Sequence, residues 1–242
     1  MTLVYQLKDV LVERRFGEGG FRLTVPSLEI ESGEHIAVVG ESGCGKSTLL
    51  DLLALVLQPS QANQFEFRPN DDGGSDVAEI WRRGRQNRLS ALRGNHIGYV
   101  LQMGGLLPYL SVRENIELPR RLMGMPHDDT VSSLARALGI HRQLGKLPGR
   151  LSAGERQRAA FARALAHKPK IIIADEPVAS LDPVTARKIM MIVTELVKGL
   201  GVTMIIASHD WAHMYKLNMH TLHHSSQPSG SDDNVIESVF SD

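Results

Sequence analysis

Eight residues between an apolar strand-like run and an apolar helix-like run constrain this chain more than any other feature. They are Gly40-Glu-Ser-Gly-Cys-Gly45-Lys46-Ser47, followed by Thr48. The octet fits G-x-x-x-x-G-K-[ST], the phosphate-cradling P-loop. Residues 35–39 (HIAVV) read as a buried strand and 48–57 (TLLDLLALVL) as a buried helix. The loop between them can wrap a polyphosphate with backbone N–H groups, at the positive end of the helix dipole. Glycine is needed wherever a Cβ would block that approach. Lys46 would then reach the β- and γ-phosphates, and the Ser47 hydroxyl would ligate Mg²⁺. The plain alternative is a glycine-rich turn. At ~7% glycine usage, however, chance produces the pattern in roughly 1% of chains this long.

A length of 242 residues accommodates one large domain or two small ones, with a sizeable core. Lys and Arg together number 27, as do Asp and Glu, so the formal charge is zero. Such a balance supplies no global attraction to nucleic acid or anionic lipid. Cys44 is the single cysteine, which excludes an intrachain disulfide and fits a reducing compartment. No apolar run approaches the ~18 residues of a membrane span. The longest, 49–57, carries Asp51. Lys8, Glu13, Arg14 and Arg15, with no apolar stretch among them, argue against a signal peptide. The expectation is a soluble cytoplasmic protein, with docking onto a membrane partner left open.

Residues 1–34 read as antiparallel strands with partial period-two alternation, broken by Gly17-Glu-Gly-Gly20. Phe16 precedes that turn, as an ordinary strand-end aromatic or as a platform for a purine base. Residues 58–76 are polar and turn-rich, with one strand-like piece at 65–67, and read as a surface excursion. The stretch 77–93 looks helical and carries Arg82, Arg83, Arg85, Arg88 and Arg93. It reads as a solvated basic face, or else as a dock for an acidic partner or lipid headgroups.

A second core strand, 96–101, ends on Gln102. The loop that follows, 103–110 (MGGLLPYL), sets a glycine pair among large apolar residues. It reads as core-facing, or as a hinge joining a nucleotide site to an apolar partner groove. Ser111 and Glu114 have capping-box spacing, and Pro119 should end or kink the helix they open. A second helix is expected near 129–138, closed by Gly139. Ser152 is placed to cap a helix running to about 167. With the Gly154 backbone it offers a second anion-binding helix terminus. A third strand, 170–174, ends in Asp175 and Glu176. Asp175 can hold Mg²⁺, and Glu176 can orient or deprotonate an attacking water. Ser180-Leu-Asp182-Pro183 starts another helix. A fourth strand, 202–207, ends on Ser208-His209, where ligands of open α/β sheets bind. The remainder from 220 reads as an edge hairpin. His213, His220, His223 and His224 match no common metal spacing and read as surface histidines.

In this order the motifs resemble those of the ATP-binding-cassette (ABC) ATPases across essentially the whole chain. Walker A is 40–47 with Thr48, the Q-loop is at Gln102, and the signature is Leu151-Ser152-Ala153-Gly154-Glu155. Walker B is 171–175 with the catalytic carboxylate Glu176. The D-loop is 180–182, the switch histidine is His209, and Phe16 matches the A-loop aromatic. Ala153 and Glu155 depart from the usual Gly and Gln. The resemblance implies an α/β fold: a RecA-like P-loop NTPase core with an antiparallel β-subdomain and an inserted α-helical subdomain. It divides one 242-residue domain into 1–102 with 166–242 for the core and 103–165 for the helical arm.

It further implies that two such chains pair head to tail around ATP and Mg²⁺. One chain would contribute Phe16, Gly40, Glu41, Ser42, Gly43, Cys44, Gly45, Lys46, Ser47 and Thr48. The other would contribute Ser152, Gly154 and Asp182. Ser47, Gln102 and Asp175 would hold the metal, while Glu176, His209, Gln102 and Lys46 would carry hydrolysis. Gln102 would couple the site to an integral membrane permease at the inner face of the cell membrane. The 97–116 stretch looks like ATPases of lipoprotein-release, macrolide-export and cell-division complexes. A soluble ABC ATPase and an ATP-gated dimerisation module remain as alternatives, and no nucleic-acid partner is expected.

Overall fold

The computed structural model describes residues 2–16, 19–70, 73–209, 217, 219–229 and 232–241. The chain divides into two compact units, 1–91 with 207–242, and 92–206.

In the first unit, β1 (Leu3–Phe16) pairs antiparallel with β2 (Gly19–Glu31). Tyr5, Leu7, Val10 and Val12 of β1 are buried. The interruption of the strict alternation falls at Asp9, whose φ of 48° breaks the extended pleat. β3 (His35–Val39) then leads through the P-loop to α1 (Lys46–Leu53). The buried Tyr5 hydroxyl donates to the Leu53 carbonyl at 2.6 Å, fixing the end of that helix. Burial alone pushes the Tyr5 phenol well above its ordinary pKa. The helix stops four residues earlier than the apolar run suggests, because Leu55 adopts φ 58°.

Two expectations are corrected here. The polar excursion contains β4 (Gln61–Phe67), antiparallel to β1, and the short β5 (Ser75–Asp76) beside it. Phe65 and Phe67 are fully buried, and Phe67 stacks on Tyr5 with ring centroids 4.9 Å apart. The basic stretch is two helices, α2 (Val77–Arg82) and α3 (Gln86–His96), which crosses into the second unit. Gly84, at φ 62°, separates them. Arg82 and Arg83 both pair with Glu79, which folds part of the basic run back onto its own helix.

The second unit holds β6 (Ile97–Val100), parallel to β7 (Ile171–Asp175), with most of β8 (Thr203–Ser208) on the far side of β7. The helices α4 (Val112–Leu122), α5 (Thr130–Ala137), α6 (Ala153–Leu165) and α7 (Pro183–Gly199) complete it. Pro119 does not end α4, which continues to Leu122. Gly139 does follow α5 with φ 66°, as a helix-closing glycine should.

The chain returns to the first unit with β9 (His220–Ser229) and β10 (Asp232–Ser241). These form the expected antiparallel hairpin, but it is not at an edge. β10 lies parallel to β2 and β9 parallel to β3, so the hairpin bridges them. The order within this unit is β5-β4-β1-β2-β10-β9-β3.

Candidate functional site

The phosphate loop is built by the turn from β3 into α1. Gly43 and Gly45 stand at φ 84° and 96°, a region that penalises any Cβ. Space adds a second demand at Gly45, where a Cβ would fall 2.5 Å from Cζ of Phe21. Gly45 is also the N-cap of α1, and no side chain caps the helix. Its first N–H groups are thus left to the backbone and to an anion. Glu41, Ser42, Gly43 and Ser47 are exposed along the loop, whereas Cys44 and Lys46 are each 5% exposed. Lys46 Nζ donates to the carbonyls of Gly40 and Glu41, both at 2.8 Å. The ammonium therefore lies across the mouth of its own loop.

His224 of β9 reaches this loop without a sequence signal. A Cβ on Gly40 would meet Cys44 Sγ at 2.7 Å and His224 Nδ1 at 2.9 Å. The other tail histidines serve elsewhere: His220 Nδ1 contacts Glu34 Oε1 at 2.6 Å, and His223 is exposed. His213 lies outside the described residues. No cluster of metal ligands occurs among the described residues. His209 is exposed directly after β8, and the backbone of Phe16 pairs with Gly19.

In the second unit the register of two parallel strands brings Gln102 and the paired carboxylates to one edge. Val100 sits opposite Ala174, so Gln102 and Asp175-Glu176 follow at the carboxyl ends of adjacent strands. Glu176 has φ 41°, a strained setting for a non-glycine residue that costs of order 1 kcal/mol or more. Its backbone is held out of the strand line at the point where chemistry is expected.

Ser152 caps α6 through a complete capping box. Its hydroxyl accepts from the Glu155 N–H at 3.2 Å, and the Glu155 carboxylate accepts from the Ser152 N–H at 2.8 Å. The backbone bond from Ser152 lowers the Glu155 pKa. Gly154 is needed for packing, since a Cβ would lie 3.1 Å from Thr185 Cγ2. Asp182 caps α7, accepting from Val184 and Thr185 N–H at 3.1 and 3.0 Å. Hydrogen bonds from Thr185 lower its pKa. The contact of Gly154 with Thr185 thus sets the N-termini of α6 and α7 side by side, with Ser152 and Asp182 both exposed.

Two residues that sequence reading passed over shape the loop after Gln102. Asn115, fully buried on α4, accepts from Leu107 N–H at 2.7 Å. It donates to the carbonyls of Leu107, Leu110 and Ser111 at 3.0–3.1 Å. Arg163 of α6 donates to Gly105 and Gly104 carbonyls at 2.6 and 3.1 Å. The glycine pair is therefore clamped through its carbonyls, which disfavours the hinge reading of this loop. Leu101, Met103 and Tyr109 remain 50%, 82% and 72% exposed on this braced loop.

A P-loop on a strand-to-helix turn and carboxylates at a parallel strand's end define a P-loop NTPase. The capping box of α6 beside the capped N-terminus of α7 adds a second pair of helix termini. The family model for ABC transporters matches residues 23–179, and the chain belongs to that family, which makes it an ATP-binding ATPase. It is 37% identical over 205 residues to a lipoprotein-releasing system ATP-binding protein, LolD 1, of Rhodospirillum rubrum, covering 82% of this chain and 86% of that one. It is also 37% identical over 211 residues to a macrolide export ATP-binding/permease protein, MacB 2, of Aeromonas hydrophila. That match covers 85% of this chain and 31% of the longer relative. A dimeric, post-hydrolysis structure of the ATP-binding cassette MJ0796 with ADP and Pi superposes at a TM-score of 0.74 and 29% identity. The superposition covers 86% of this chain and 89% of the other.

Proposed function

We propose that this chain dimerises head to tail around ATP and powers a membrane permease of the lipoprotein-release or macrolide-export kind, from the inner face of the cell membrane. The observation that carries the permease reading is the apolar surface of Leu101, Met103 and Tyr109, exposed around Gln102 and braced by Asn115 and Arg163. A sticky surface on a rigid loop, continuous with a residue at the nucleotide edge, suits mechanical coupling. LolD and MacB relatives support the same subgroup.

Residues 103–165 would be the arm that carries the signature, and 1–102 with 166–242 the core. Gly40, Glu41, Ser42, Gly43, Cys44 and Gly45 wrap the phosphates with backbone N–H groups. On nucleotide entry Lys46 exchanges its loop carbonyls for the β- and γ-phosphates. Thr48 closes the first turn, and Phe16 receives the adenine. Ser47, Gln102 and Asp175 all offer hard oxygens, the donor set Mg²⁺ requires, and would hold it. When bound, Mg²⁺ neutralises charge on the phosphate oxygens. Glu176 accepts a proton from the attacking water, and His209 holds that water and the γ-phosphate. Ser152 and Gly154 of the opposite chain contact the γ-phosphate, with Asp182 linking the two sites. Removing a proton acceptor arrests the cycle before hydrolysis, so Glu176→Gln should accumulate an ATP-bound dimer. A variant that stays monomeric at saturating ATP and Mg²⁺ would sink the head-to-tail site. Purification from detergent-solubilised membranes should bring down an integral membrane subunit, and its absence would end the permease reading.

A further inference from the structure

We propose that a cavity in the second unit binds an amphipathic monoanion, a carboxylate head on an unbranched apolar tail. The cavity measures about 630 Å³. Small-molecule sites commonly span ~300–1,000 Å³. Leu134 of α5, Leu165 of α6 and Val202 before β8 form a buried apolar wall. Leu200 at the rim is 53% exposed.

Charge decides which ligand fits. Asp128 and Asp129 line the cavity, but each has its own arginine: Asp128 pairs with Arg120 at 2.8 Å, and Asp129 with Arg136. The same oxygens, Asp128 Oδ1 and Asp129 Oδ2, also accept from Thr130 N–H at 2.9 Å and the Ser133 hydroxyl at 3.0 Å. Lys168 and Lys170 also line it, both exposed, and neither forms an ion pair among the described residues. With the acids compensated, the lysines leave a net positive rim over an apolar wall. An anion with a hydrocarbon body satisfies both parts, and neither a cation nor a bare polyphosphate does.

The backbone supplies a second observation. Lys168 follows α6 at φ 56°, where glycine is the usual choice. A lysine in this left-handed setting carries its side chain at a backbone cost.

The test titrates decanoate, below its aggregation concentration, into the full chain. Calorimetry and backbone amide shifts follow the binding. One-to-one binding is expected, with shifts confined to residues 128–134, 165–170 and 200–202. Decyltrimethylammonium, with the same tail and opposite charge, should bind at least tenfold more weakly. That comparison uses the native chain and needs no variant. Lys168→Gly combined with Lys170→Ala should weaken decanoate at least tenfold. Lys168→Gly alone should raise Tm, which separates lost binding from misfolding. The proposal fails if decanoate leaves these amides unmoved, if the cation binds equally well, or if the double variant keeps native affinity.

Discussion

Replacing Asn115 by alanine is a quantitative test of how the loop after Gln102 is held. The side chain accepts one hydrogen bond and shares its two amide hydrogens among three carbonyls, all on backbone atoms of residues 107–111. With one accepted bond and two N–H donors at ~0.5–1.5 kcal/mol net each, the sum is about 1.5–4.5 kcal/mol. The freed groups sit on half-buried residues and regain part of their hydration, so Asn115→Ala should cost about 3 kcal/mol. For a chain of this size that is a fall in Tm of roughly 6–12 °C. Asn115→Asp has the same shape but presents oxygens to three carbonyl oxygens. It should cost more than alanine at neutral pH. Protonation restores one donor, so its folded-state pKa is raised. The aspartate variant should then regain stability at low pH and lose it as pH rises. Thermal unfolding gives the ranking, and hydrogen exchange at the Leu107 amide reports the loop directly. An alanine variant within ~1 °C of the native Tm, with Leu107 still protected, would refute the reasoning.

Other outcomes can be stated briefly. Gly98→Ala would push a Cβ to 2.2 Å from the Ala164 carbonyl oxygen. Backbone cannot swing aside, so a loss of ~1–3 kcal/mol or more is expected in urea unfolding, and native stability would contradict it. Hydrogen bonds from Thr130, and then from Arg120, hold the Asp128 carboxyl at about 2. Its stabilisation is present above the unfolded pKa of ~3.9 and is lost as pH falls through the folded value. The native chain's advantage over Asp128→Asn should therefore be constant above about pH 5 and narrow below about pH 4, and a flat difference would refute the assignment. Alkylation of Cys44 by a bulky reagent should abolish ATP binding, because Sγ packs where a Gly40 Cβ would be. Full nucleotide affinity after complete modification would rule that out.

Much of the fold was legible because its signals are local. Ser111 and Ser152 announce their helices through a glutamate three residues on, and both capping boxes form. Gly139 marks the end of α5 in the same way. Only 65–67 of β4 was legible as a strand, because Phe65 and Phe67 alone of its seven residues face the core, while the others are polar or small. The break at Gly84 carried a readable signal, one glycine among arginines, that the basic charge pattern obscured. Nothing local could place β9 inside a sheet: HTLHHSSQPS has few strand formers, and its partners lie far away in sequence. Arg163 and Asn115 read as ordinary helix residues because their partners are carbonyls, which leave no trace in the sequence. The candidate site divides along the same line. Its loops and caps are spelled out by motif, whereas the His224 contact with the phosphate loop depends on that distant strand pairing.

The bridging hairpin has a consequence for synthesis on the ribosome. β2 and β3 are made within the first 39 residues, yet the strands that join them span 220–241. At 5–20 residues per second the nascent chain waits roughly 10–40 seconds for that joint. During this interval β2 presents an unpaired edge to any passing strand. Residues 92–206 emerge in full before then and can collapse as a unit of their own. The unit that carries the phosphate loop is thus begun first and finished last, and its nascent edge is where a chaperone would be needed.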